Sequence, residues 1–279
     1  MSRLNTIKVF RDLLSFLTII PLGKTEDFVV TSARSMFLFP LIGALIGLFA
    51  AGYFVVCGFV LSFLLGLVNS VVQIPVGFLV SVAVPVMTLA FLLVFTGFQH
   101  FDGLVDLGNA IGLKKVEERR AIAHAWTVTY KGALLAIFVE FAAFAGLFLL
   151  LNANVAVRAL IVAEVAAKLS MVTIAWLGKP AHAGLGARFL ASAKRKLNVA
   201  AFAVSFLVGF ALLGLAGLLV IEMAVLFGLL MEQVGKSVFG GVSGDMIGAT
   251  NEGARALTLV LVAVMSFLSA VLFAGALWL

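Results

Sequence analysis

Residues 98–112 read Phe98-Gln99-His100-Phe101-Asp102-Gly103-Leu104-Val105-Asp106-Leu107-Gly108-Asn109-Ala110-Ile111-Gly112, a histidine, two aspartates, an asparagine and three glycines at the exit of a long apolar run. In a helix Asp102, Asp106 and Asn109 stand at i, i+4 and i+7, so three oxygen-bearing side chains share a face and can hold a hard divalent cation. A second polar stretch, Gly244-Asp245-Met246-Ile247-Gly248-Ala249-Thr250-Asn251-Glu252, places Asp245 and Glu252 seven apart. They too share one face if helical, and Gly244 and Gly248 let a phosphate approach the backbone. More than 130 residues separate the two stretches, so a common site depends on how the intervening chain crosses back.

Composition says what that chain is. Of its 279 residues, 63% are hydrophobic and only 11% charged, and mean hydropathy is +1.23. A soluble globule carries about a quarter charged residues. The chain is therefore expected to be an all-α, polytopic integral membrane bundle forming a single membrane domain over 1–279. Frequent Phe suits lipid-facing bulk, and frequent Gly suits close helix contacts. The single Cys57 excludes an intrachain disulfide and a thiolate metal cage, and reads as a small buried residue. A net charge of +6 is explained in such a chain by anchoring at the cytoplasmic face, with no nucleic acid implied.

Arg11 and Asp12 interrupt any signal-peptide core, and residues 8–22 read as a short helix on the membrane surface, stopped by Pro21 and Gly23. A span needs about 20 apolar residues. About seven are predicted, at 36–60, 76–98, 132–152, 155–177, 199–216, 218–234 and 255–278. Gly43 and Gly47 are spaced for helix contact, Pro85 for a kink, and the pair 199–216 and 218–234 for a hairpin turning near Gly217. The loops 98–131, 178–198 and 235–254 then share the N-terminal side. All Lys and Arg except Arg158 and Lys168 fall on or near that side, which makes it cytoplasmic. Both acidic stretches thus emerge on one face of the cell membrane.

The string His100-x-Asp102-Gly103-Leu104-x-Asp106, followed downstream by Gly244-Asp245-x-x-Gly248-Ala249-x-x-Glu252, resembles the cobalamin synthase family, the adenosylcobinamide-GDP ribazoletransferases. Phe16-Leu17-Thr18 with Pro21, Arg34 before Phe39-Pro40-Leu41-Ile42-Gly43-x-x-x-Gly47, and Gly184-Leu185-Gly186 with Phe189 extend the match nearly end to end, in order. The resemblance implies a membrane enzyme of late vitamin B12 assembly that uses a divalent metal, usually magnesium. It joins α-ribazole, or its 5′-phosphate, to adenosylcobinamide-GDP with release of GMP. Where many members carry Asp-Gly and a downstream Arg-Asp pair, this chain has Asn109-Ala110 and His124-Ala125. Its site is thus expected to carry one charge fewer and to bind metal more weakly.

Diphosphate cleavage needs charge neutralised on the transferred phosphoryl and on the leaving phosphate, which carboxylate-held magnesium provides with basic side chains assisting. Asp102, Asp106 and Asp245 are the expected ligands and Glu252 a fourth; Asn109 is a weaker ligand or a hydrogen-bond partner. His100 accepts the nucleophile's proton, orients a carboxylate or makes a structural hydrogen bond. Lys131, Arg188, Lys194, Arg195 and Lys196 are candidates for holding the anionic leaving group, with a topology anchor as the plainer role of Lys194 to Lys196. Gly103, Gly184, Gly186, Gly244 and Gly248 are candidates for close backbone approach to substrate.

Glu140, Glu164, Lys168 and Glu222 fall inside predicted spans, where ionisable groups are functional candidates by default. Glu164 and Lys168, at i and i+4, are expected to pair. Two other functions compete. A CDP-alcohol phosphotransferase needs Ala-Arg where this chain has Asp106. A secondary transporter would use the four intramembrane charges as a path. Homo-oligomerisation is left open.

Overall fold

A computed structural model describes residues 6–23, 27–123, 125, 127–150 and 153–272. His124, Asn152 of the expected turn after the third span, and the end of the last predicted span lie outside the described residues. Among them there are eleven α-helices: α1 Thr6–Leu17, α2 Phe28–Arg34, α3 Phe39–Asn69, α4 Val76–Phe95, α5 Gln99–Ala110, α6 Val116–Ala123, α7 Tyr130–Leu149, α8 Ala153–Leu177, α9 Leu185–Ser192, α10 Val199–Phe239 and α11 Gly244–Leu272. Six of them, α3, α4, α7, α8, α10 and α11, are long and apolar enough to cross a membrane. The protein is an all-α, multi-pass membrane bundle.

The bundle is built around α8. Its side chains are almost wholly buried, whereas α3, α4 and α7 leave most of their apolar surface exposed, as lipid-facing helices do. Small residues set the approach distances. A Cβ added at Gly47 would stand 2.6 Å from the Ile161 Cα, and one at Gly43 would meet the backbone of Glu164. Glycine at these two positions is what lets α3 lie directly on α8.

The hairpin predicted over 199–234 is present inside α10. Gly214 takes φ 58°, ψ −138°, a conformation open to glycine and costly for residues with a Cβ. The chain reverses there, three residues before the expected position. Gly217 instead lies against Gly209, whose Cα would be 3.1 Å from a Cβ at Gly217; in a straight helix these residues are about 12 Å apart. The first arm runs antiparallel to α8, pairing Phe202 with Trp176 and Leu212 with Arg158. The second returns parallel to it, the Ser170 hydroxyl donating to the Ala224 carbonyl at 2.7 Å.

Three boundaries differ from expectation in ways that matter for the site. The first span continues to Asn69, since nothing between 60 and 69 breaks a helix. The surface helix ends at Leu17, and its apolar face, including Leu13 and Leu17, is buried against the bundle. Most consequentially, 244–254 is not loop. α10 ends at Phe239, Gly240 closes it with φ 74°, and α11 begins at Gly244, so the second polar stretch forms the first turns of the last long helix. Loops at this end are tied together. Arg119 and Arg120 donate to the Ser237, Val238 and Phe239 carbonyls at the end of α10, and Pro180 bridges to Val242.

Candidate active site

Gly97 and Phe98 both adopt left-handed φ, 68° and 56°, turning the chain sharply from α4 into α5. For Phe98 that conformation costs roughly 1–2 kcal/mol, and it aims α5 across the first turns of α11. The two helices meet antiparallel through reciprocal glycines. A Cβ at Gly103 would lie 2.8 Å from the Asp245 Cα, and one at Gly248 would lie 3.1 Å from the His100 Cα. The first approach leaves no room for a side chain, and the second would need the backbone at His100 to give by a few tenths of an ångström. This crossing brings Asp245 beside the two aspartates of α5.

Asp102, Asp106 and Asp245 line one cavity of about 330 Å³ together with Val105, Ala123, Thr127 and Val128. Among the described residues its lining includes no Lys or Arg. The electrostatic result is visible at Asp106: burial first, then the neighbouring Asp245 and Asp102 carboxylates, push it up to about 7, against a lowering hydrogen bond from Asn109. The far wall is held by Asn109, which is buried. Its amide donates to the Thr127 carbonyl at 2.8 Å, and its oxygen accepts from the Thr129 N–H at 2.9 Å and hydroxyl at 2.8 Å. Of the two roles open to Asn109, the structure places it as a hydrogen-bond partner that positions the wall.

The donor set suits a hard cation. Among the described residues, however, no three His, Cys, Asp or Glu side chains converge as a preformed metal cage. Magnesium is commonly held by one or two carboxylates, substrate phosphates and water, and an open cavity lined by three aspartates fits that mode better than a closed cage would.

Glu252 is not brought to this cavity. It shares a helical face with Asp245 but sits two turns further along α11, about 10 Å deeper by helical rise. Its carboxylate accepts from Arg255 and from Asn251, which removes it from the ligand set. Arg255 also donates to Glu164, and Lys168 bridges Glu164 at 3.1 Å and Asn251 at 2.7 Å. The expected Glu164–Lys168 pair is therefore part of a larger buried network, which Glu140 joins through Glu252. Glu222 is exposed on α10, and these four charges do not form a common path. Arg255 was not singled out from sequence; its i, i+3 spacing from Glu252 at the head of a span was the available signal.

His100 faces away from the aspartates. It is buried in a second, apolar cavity lined also by Gly186, Gly244 and Gly248. Burial, reinforced by Lys168 and Arg255 beneath it, holds its pKa well below the usual histidine value. The basic candidates mostly serve chain ends. Lys194 donates to the Ala175, Trp176 and Gly178 carbonyls at the end of α8. Lys131 donates to the Ile111 carbonyl after α5 at 2.9 Å, and Arg195 reaches the Arg34 carbonyl at 3.5 Å. Arg188 and Gly184 are exposed, and neither lines a described cavity; Lys196 starts the short turn into α10.

Fold and site together define a multi-pass membrane protein whose one end carries an acidic cavity walled off from an apolar one by the crossing of α5 and α11. The family model described as Cobalamin-5-phosphate synthase matches residues 9–263, and the chain belongs to that family. It is 28% identical over 284 residues to an adenosylcobinamide-GDP ribazoletransferase of Methanosarcina barkeri, covering 93% of each chain. Proteins of the same description from Halorubrum lacusprofundi, 30% identical with 91% of this chain and 95% of the relative covered, and from Clostridium novyi, 28% identical with 91% and 95% covered, are also similar. No solved structure matches the chain.

Proposed function

We propose that this protein is a magnesium-dependent transferase that joins α-ribazole, or its 5′-phosphate, to adenosylcobinamide-GDP and releases GMP, forming the nucleotide loop of adenosylcobalamin. The observation that carries the reading is the gathering of Asp102, Asp106 and Asp245, from two distant segments, in one cavity. Three carboxylates gathered in one cavity repel one another, a cost that a bound cation offsets. The family and the relatives' names supply the substrates.

Asp102, Asp106 and Asp245 would hold the magnesium, which when bound offsets charge on the diphosphate as the bond to GMP breaks. A ribazole hydroxyl forms the new O–P bond at the phosphorus next to the corrin side chain; the bridging P–O bond breaks, and GMP leaves with that oxygen. Since His100 faces the other cavity, the carboxylates of the acidic cavity are the acceptors for the hydroxyl proton. Ser243 caps α11, accepting from the Met246 N–H at 3.2 Å. The positive end of that helix favours an anionic phosphate nearby. Asn109 keeps the Thr127–Val128 wall in place. We further place this end of the bundle at the cytoplasmic face of the cell membrane, on the distribution of basic residues.

The test is GMP release by protein in lipid, with adenosylcobinamide-GDP and ribazole phosphate. Release that requires magnesium, both substrates, Asp102 and Asp245 supports the reading. Activity surviving Asp102→Ala and Asp245→Ala, or no release by folded wild type, rejects it.

A further inference from the structure

The apolar cavity on the other side of the α5–α11 crossing measures about 310 Å³. Phe16 of α1, Phe28 of α2 and Phe189 of α9 line it together with Met171 and Ile247. Phe16 and Phe189 stack with centroids 5.4 Å apart. Gln99 adds an exposed amide at the cavity edge, and one buried atom is out of keeping with the apolar lining. The Nε2 of His100 is buried without a hydrogen-bond partner, on a residue only 6% exposed. Buried polar atoms are almost always paired, and a site that leaves one unpaired against an apolar cavity is shaped for a ligand that supplies the partner. A single ring nitrogen in that setting offers one hydrogen bond, as donor or acceptor according to the tautomer.

We propose that this cavity receives the flat, weakly polar base of the nucleoside substrate, stacked among the phenylalanines with one hydrogen bond to His100 Nε2. The proposal rests on the transferase reading. A ribosylated benzimidazole has a carbocyclic face and one free ring nitrogen, which matches an aromatic cavity containing one unpaired imidazole nitrogen. Guanine carries several donors and acceptors, each costly to bury unpaired, and a corrin is too large for this volume. Placement agrees with the chemistry. Gln99, His100 and Gly244 line the apolar cavity, while their near neighbours Asp102 and Asp245 line the acidic one. A base seated in the first directs its ribose over the N-terminus of α11 toward the aspartates.

The experiment measures binding of free dimethylbenzimidazole to the protein in lipid nanodiscs by equilibrium dialysis, with adenine as the polar comparator, alongside GMP release. Wild type is expected to bind dimethylbenzimidazole in preference to adenine. Met171→Trp fills the cavity and is expected to weaken that binding by about tenfold or more and to raise KM for ribazole, leaving KM for adenosylcobinamide-GDP unchanged. His100→Phe keeps the bulk, removes the hydrogen bond and narrows the preference over adenine. Val29→Trp, from a more exposed wall of the cavity, gives the same test if Met171→Trp does not fold. Asp102→Ala is expected to lose GMP release and retain base binding, which separates failure of this proposal from failure of the transferase reading. Absence of base binding by wild type, binding indifferent to the cavity-filling variants, or a KM change for the corrinoid instead of ribazole overturns the base site.

Discussion

Asp245 and Glu252 stand on one face of one helix and meet opposite fates. Asp245, at the mouth of α11, joins two further carboxylates in a cavity whose described lining holds no cation. Glu252, two turns deeper, is buried with Arg255 and Asn251 and is linked through them to Glu164 and Lys168. Carboxylates gather with one another where a ligand can enter and are paired with cations where none can. The difference separates a site from a structural ionic core, although side-chain chemistry alone would group the two residues together.

The sharpest way to break this comparison is to disturb the deep network. Arg255→Met leaves Glu164 and Glu252 without their shared partner and is expected to cost about 3–5 kcal/mol, seen as a large drop in thermal unfolding temperature or in monodisperse yield. A folded variant of ordinary stability would mean that the network is not structural. Asp245→Asn is expected to do the reverse. GMP release should fall by about 10²–10³-fold, the scale of losing one group that stabilises transition-state charge, while thermal stability holds or rises because a like-charge contact is relieved. Unfolding of that variant would place Asp245 with Glu252 after all.

Gly103→Ala tests the crossing that gathers the aspartates. Its methyl has no room beside the Asp245 backbone, so α5 and α11 must separate, and activity is expected to fall more steeply than stability. The sign of the pH effect follows from Asp106. Its carboxyl, raised from 3.8 to about 7, stays protonated below that value, so metal binding is expected to weaken as pH falls through about 7, and Asp106→Asn to flatten the dependence. Because the unfolded chain releases this proton near 3.8, the same group lowers folded stability as pH rises from about 4 to about 7. Manganese binding followed by electron paramagnetic resonance across that window checks the first part, and denaturant titration of the metal-free protein checks the second. Smallest is Lys194→Met, which removes a cap from α8 and is expected to cost about 1 kcal/mol with KM values unchanged. A raised KM would return Lys194 to the anion-binding candidates.

Much of the site was legible because its spacing is local. Asp102 and Asp106 share a helical face by periodicity alone, and the pair Glu164–Lys168 follows from the same rule. The role of Asn109 was only half legible, since its partners Thr127 and Thr129 lie across a loop whose path no local pattern dictates. Basic side chains misled for a related reason. Lys194 and Lys131 look free in sequence, yet each sits where helix-end carbonyls need donors.

The amino-acid order by itself determined the membrane class, the apolar spans, the hairpin in α10 and the common side of the two acidic stretches, because hydropathy over about 20 residues and helical periodicity are properties of short segments. Only the tertiary structure decided that residues 244–252 begin a helix, that Gly103 and Gly248 seat α5 against it, that His100 turns to an apolar cavity and that Arg255 ties Glu252 to Glu164. Each of these depends on depth within the bundle and on contacts between segments more than 90 residues apart or across a helix crossing, which linear spacing does not encode.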